Sequence, residues 1–559
     1  MTKKRNSVAV SFFLLVISIT GAQAQVHDPR AIAADPATAT TQIAPKLEGL
    51  GDHHFPVTTD DEESQYYFDQ GLRLTYGFNH SEALRAFKEA VRLDPDNAMA
   101  HWGWALVLGP NLNLPMLPDV VAQAYSAMQN AVALSGRVSA KERDMIAALA
   151  LRYTDDPEAD RASFDQAYSD ELGELVAKYP DDLDIATLYA ASLMNLSPWN
   201  YWDRDGRARA NTGELVGTLQ SVIGRDPEHP GALHYYIHAV EAQHPDWAEA
   251  GADRLGALMP GAGHMVHMPS HIYMRLGRYG DSYAANQKAS AADESYITQC
   301  RAQGLYPLGY YPHNVHFLAW SAMFQGRSDA AMAASRKVAE KVPADLGSDT
   351  WLLYQTFLAQ PMYTMVRFGR WDEALAEPRP PEAALYLNGV WHYARGLAYK
   401  NTGKPQQAAA ELERLRAIRS DPAADDQFVG FGPVPTLLLT AELILDAELK
   451  ADGGRIEEAI SRLDRAVRLE DSLLYNEPPD WYFPVRHYLG AILLEGGYPA
   501  EAEVVYWQDL RKNRDNGFAL FGLLQALEAQ DKAAELYAIE ERFDAAWADA
   551  DVELSSSRF

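Results

Sequence analysis

Residues 68–96 read FDQGLRLTYGFNHSEALRAFKEAVRLDPD. Gly71, Ala83, Phe87, Ala90 and Pro95 follow one another at spacings of 12, 4, 3 and 5. Small residues at such intervals let two helices approach closely, and a proline ends the second one. The same ruler fits Gly396, Gly403, Ala408, Leu412 and Leu415 in HYARGLAYKNTGKPQQAAAELERL. It fits Ala447, Gly454, Ala459, Leu463 and Ala466, then Gly490, Gly497, Ala502 and Tyr506, and in a weaker copy Gly522 and Ala534. Period and residue type agree in every copy, so the chain is a helical repeat.

The pattern resembles the tetratricopeptide repeat, a 34-residue helix-turn-helix. The resemblance implies an all-α, right-handed α-solenoid over residues 61–559. Four stretches interrupt it as loop insertions: 108–119, 197–208, 377–384 and 476–486. Long loops in compact repeat proteins are commonly functional. Residues 25–60 carry no helical period and are expected as an N-terminal tail.

The first 25 residues, MTKKRNSVAVSFFLLVISITGAQAQ, have a basic start, a short apolar run and the small-x-small signal Ala22-Gln23-Ala24. They read as a cleaved signal peptide over 1–24, which places the protein in the periplasm or outside the cell. No later run is long and apolar enough to suggest a transmembrane segment. Cys300 is the one cysteine, so no internal disulfide is expected. The formal charge is −28. Such a surface repels phosphate backbones, which argues against a nucleic-acid partner and against anionic membranes.

Histidines are concentrated. The chain has 16, and His234, His238, His244, His264, His267 and His271 fall between Gly231 and Gly280. With Gly277 and Gly326 taken as turn glycines, His264, His267 and His271 occupy positions 2, 5 and 9 of one first helix, and His313 and His316 occupy positions 2 and 5 of another. One repeat earlier His234, His238 and Glu241 fall at positions 5, 9 and 12, with a slip of one residue near Glu249. At about 100° per residue each set spans only about 60° of helix circumference. The repeat resemblance implies that these positions face a concave groove.

Imidazole is the commonest protein metal ligand, and three or four converging donors make a site. His234, His238, His264, His267, His271, His313 and His316 are therefore the candidate ligands, within repeats spanning 230–345. Met265, Met268 and Met274 lend softness that favours copper first, then zinc or iron; the ordinary role of Met at this spacing is core filling. Glu241 is a candidate ligand or general base. Tyr273 is a candidate for orienting ligands or substrate, as are Tyr235, Tyr236, Tyr310 and Tyr311. Arg275, at position 13, suits a substrate carboxylate. Pro269 is expected to break the helix that holds His264 and His267.

The segment EPPDWYFPVRHYLGAILLEGGYPAEAEVVYWQDL, with HMPSHIYMRLGRY, is similar to a large set of exported bacterial tetratricopeptide repeat proteins. That resemblance implies fold and export and carries no activity. No phosphate loop, nucleophile elbow, H-E-x-x-H or haem-attachment motif is present. The expected function is a metal site acting on a small molecule, as an oxidoreductase or hydrolase. The alternatives are a scaffold that takes a peptide or partner protein in its groove, and a periplasmic metal carrier.

Overall fold

A computed structural model describes residues 26–342 and 354–559. The expected signal peptide lies outside the described residues, as do positions 343–345 of the expected metal-binding repeats. The chain divides into two compact units. Unit 1 comprises residues up to Ile272 together with Lys288–Tyr311; unit 2 comprises Tyr273–Gln287 and Pro312–Phe559. Both are built from consecutive helices packed as antiparallel hairpins, so the fold is the expected all-α, tetratricopeptide-like repeat. The named strands among the described residues are a two-residue antiparallel pair, Phe428–Val429 with Gly432–Pro433.

The repeat ruler has a direct physical meaning in unit 1. Helix Glu62–Tyr76 pairs with helix His80–Leu93, which packs on Ala98–Leu108. Phe87, fully buried, projects between Gly71 of the first helix and Gly103 of the third. A Cβ would lie 2.7 Å from its ring at Gly71 and 2.4 Å at Gly103. Unit 2 repeats the device: Tyr506 fills the space left by Gly490 and Gly522. The turn glycines 403, 454 and 497 all hold positive φ, where a side chain would strain the backbone. In the first repeat that turn position is Phe78, which takes φ 56° without being glycine.

Residues 26–60 carry only one short helix, Pro29–Ala33, but they do not form a tail. Side chains of the first hairpin supply the hydrogen bonds that a helix would have made internally. Glu89 accepts from the Ile43 amide, Gln70 from Leu47 and Asp69 from Phe55. Lys88 is fully buried, and its ammonium donates to the carbonyls of Ala31, Ile32 and Ala34. Desolvation pulls that ammonium down to about 8.

In unit 2, Arg367 is 1 % exposed. Its guanidinium carbon sits 3.3 Å from the ring centres of both Phe483 and Phe518. Nη1 faces Nδ1 of His487 at 3.2 Å, and Nε2 of that histidine meets Asp509 at 2.8 Å.

Candidate metal centre

Helix Pro230–Val240 is buried along its whole length. His229 caps it, accepting the Ala232 amide on Nδ1 at 3.2 Å, and Pro230 occupies the first helical position, where no amide partner is needed. His234 and His238 are one turn apart on this helix, and Glu241 follows at its C-terminal end. The second histidine set lies on two pieces, Gly263–His267 and Pro269–Leu276, so Pro269 does interrupt the helix. Met268 stays helical between them, which keeps His264, His267 and His271 in register.

Five histidines of unit 1 come together. Ring centres lie 4.9 Å apart for His234–His238, 5.0 Å for His234–His264 and 5.5 Å for His238–His271. Nε2 of His267 and Nε2 of His271 stand 3.0 Å apart. His234, His238 and His264 can each offer a nitrogen such that the three lie within 4.8 Å of one another. Zinc holds donors at about 2.0–2.1 Å, so the rings would draw in by roughly 1 Å to close on an ion. Glu241 places Oε2 at 3.1 Å from Nδ1 of His271 and 3.5 Å from Nδ1 of His238. All six side chains are buried, none more than 5 % exposed.

The hydrogen bonds of His234 define its chemistry. Nδ1 lies 2.5 Å from the Tyr76 carbonyl, which accepts its proton and leaves Nε2 with a lone pair. Among the described residues that Nε2 has no hydrogen-bond partner, nor has either nitrogen of His238. Burial drives the His234 ring well below its ordinary value, helped by the neighbouring His238. Burial lowers His238 too, opposed by Glu241. Desolvation pushes the Glu241 carboxyl up, but His271 and His238 outweigh it and hold it below the carboxylate range. Burial thus favours the neutral form of His234 and His238, the form in which imidazole ligates a metal.

Aromatic rings close the cluster. Phe78 lies 4.4 Å from His234 and stacks on His238 and His264 at 5.7 and 5.6 Å. Trp199, from the PWNYW loop, meets His238 edge-on at 5.1 Å. Tyr310 sits 4.8 Å from His264. Of the other tyrosines, Tyr235 flanks His234 at 5.5 Å, whereas Tyr236 accepts from Gln220 and Tyr311 donates to Glu294.

The remaining candidates belong to unit 2. His313 packs edge-on against Phe317, and His316 against Phe357. Burial lowers His316 to about 3. Arg275 lies 3.8 Å from Glu477 and over the ring of Tyr475. Tyr273 is covered by Arg278 at 4.3 Å. Met274 joins an apolar cluster with Phe317, Trp320 and Phe324, and its sulfur accepts from Ser321, so it fills core there.

Sequence reading missed two things. Phe78 was signalled by the repeat ruler itself, which has a bulky residue at the turn-glycine position. The second is a network of half-buried His53 and Asp184 with buried His229 and Tyr76, whose members come from four unrelated stretches. Oδ1 of Asp184 accepts from Tyr76 Oη at 2.6 Å, meets Nε2 of His53 at 2.8 Å and faces Nε2 of His229 at 3.4 Å. Desolvation works against charge on both His53 and Asp184. Their mutual hydrogen bond outweighs it, raising the imidazole and, with His229, lowering the carboxyl.

No protein-family profile matches the chain. No curated protein matches it either. Among solved structures, the human IFIT1 dimer with m7Gppp-AAAA aligns at 12 % identity and a TM-score of 0.29, over 88 % of this chain and 92 % of that one. The Cut9-Hcn1 hetero-tetramer of the APC/C aligns at 12 % identity and a TM-score of 0.28, over 87 % of this chain and 74 % of that one. At that level neither bears on what this chain does. No helix among the described residues is long and apolar enough to cross a membrane.

Proposed function

We propose that this helical repeat protein binds a transition metal in unit 1, on His234, His238 and His264, with Glu241 and His271 beside them. The observation that carries this is the unpartnered Nε2 of His234, whose tautomer the Tyr76 carbonyl fixes. Burying a polar atom without a partner costs about 1–3 kcal/mol, and a metal bond removes that cost. Imidazoles with one carboxylate suit zinc and iron as well as copper. Met274 lends no softness here, so the earlier preference for copper rests on Met265 and Met268. A bound metal would polarise a small substrate or activate water, with Glu241 placed to take a proton. Export, with the site loaded outside the cytoplasm, is part of this proposal.

Elemental analysis of untagged protein, as purified and after reconstitution, tests it. Near one ion per chain in the wild type, lost in His234→Ala and His238→Ala, supports the reading. Content far below one ion in the reconstituted wild type ends it. A second reading, a scaffold for a protein partner, rests on the repeat fold and on the exposed Val504, Trp507 and Tyr537 of unit 2. It requires a partner whose binding is indifferent to chelators.

A further inference from the structure

Asp184 is not a candidate ligand, yet it ties together the segments that present His234. We propose that Asp184 is a positioning residue of the histidine site, acting through Tyr76. The functional consequence rests on the metal reading above; the geometry does not.

One carboxylate oxygen serves three segments: His53 from residues 26–60, Tyr76 from the end of helix Glu62–Tyr76, and His229 from the cap of helix Pro230–Val240. His53, Asp184 and His229 are spaced as metal donors are. Nδ1 of His229, however, is taken as an acceptor by the Ala232 amide, so Nε2 carries that ring's proton and has no lone pair for an ion. The arrangement is a hydrogen-bonded clamp around Asp184.

Tyr76 is what the clamp holds. Its ring lies against the backbone of helix Pro230–Val240, where a Cβ on Gly231 would come within 2.6 Å of it. Its carbonyl accepts the ring proton of His234 one turn further along. Asp184 thus fixes the side chain of the residue whose main chain fixes a ligand's tautomer. His53 and Tyr235 pack on the same ring at 5.7 and 6.1 Å. Residues that orient ligands in this way change metal affinity by about 10–100-fold when altered.

The test compares full-length wild type, Asp184→Asn and Tyr76→Phe. Zinc affinity is measured by chelator competition, and the His234 tautomer by long-range 1H–15N correlation on metal-free protein. We expect Asp184→Asn to weaken zinc about 10-fold or more and to mix the tautomers of His234, with stoichiometry and helix content unchanged. Tyr76→Phe should act in the same direction and less strongly. It keeps the ring on Gly231, so it decides the matter if Asp184→Asn fails to fold. Affinities within about two-fold of wild type, with one unchanged His234 tautomer, overturn the proposal. If wild type takes up no metal, the metal reading fails alone, and the tautomer comparison still decides the positioning.

Discussion

Nδ1 of His234 and the backbone carbonyl of Tyr76 meet at 2.5 Å across 158 residues of chain. That bond chooses which nitrogen of His234 keeps its proton, and it aims the other into a cluster of four more buried imidazoles. A helix interior has no use for such an arrangement. Two buried rings whose Nε2 atoms both lack a hydrogen-bond partner among the described residues weaken a fold unless something coordinates them.

His238→Leu is therefore expected to separate stability from binding. Without metal, the variant should unfold close to the wild-type temperature, because Glu241, 3.5 Å from the lost Nδ1, keeps His271 at 3.1 Å. Metal affinity should fall by about 100-fold or more. Calorimetry on apo protein, with chelator competition, checks both. A marked loss of apo stability would show that the ring has a structural role.

Stability in unit 2 should depend on pH through His316. Burial lowers its folded value to about 3, while the unfolded ring keeps its ordinary value near 6.5. Between those values the unfolded chain binds a proton that the folded chain does not. Stability is thus full above pH 6.5 and declines as the pH falls, by at most about 1.4 kcal/mol per unit from this group. Urea unfolding of apo protein at pH 7, 6 and 5 should show a shallower decline for His316→Gln. Parallel lines for the two proteins would refute the assignment.

Arg367 should not tolerate lysine. The guanidinium carbon lies 3.3 Å from the centres of Phe483 and Phe518, rings that stand at 83° to each other, and the group donates to His487; a flexible ammonium does not reproduce both features. Arg367→Lys is expected to cost about 2–3 kcal/mol in urea unfolding followed by a probe in unit 2. A cost below about 0.5 kcal/mol would mean that these cation–ring contacts contribute little.

Gly103→Ala places a methyl 2.4 Å from the Phe87 ring. A Cβ on Gly71 would also come within 2.7 Å of the same ring, so the ring is tightly held between the two glycine positions. The expected cost is about 3 kcal/mol. Adding Phe87→Leu should recover part of it, and that recovery is the coupling a double-mutant cycle measures. Simple additivity would place the clash elsewhere.

The repeat was legible because hairpin packing is local: glycine, alanine and a large ring at fixed intervals are the contact itself. Histidine register was legible for the same reason. Positions three, four and seven apart share a helix face, and His234, His238, His264, His267 and His271 do gather. Asp184 was not legible. It meets His53, Tyr76 and His229 at separations of 131, 108 and 45 residues, and no local period reports a contact of that range. Residues 26–60 were misread because their order comes from side chains of a neighbouring hairpin, which leave no pattern in the segment that receives them.

The three oxygens around Lys88 set a boundary for anyone shortening this polypeptide. Trimming that begins the chain at residue 46 would strip all three carbonyls from that ammonium and leave it only the Trp104 ring and whatever water enters. A tag or protease site belongs ahead of Asp28, whose carboxylate starts the short turn that supplies those oxygens.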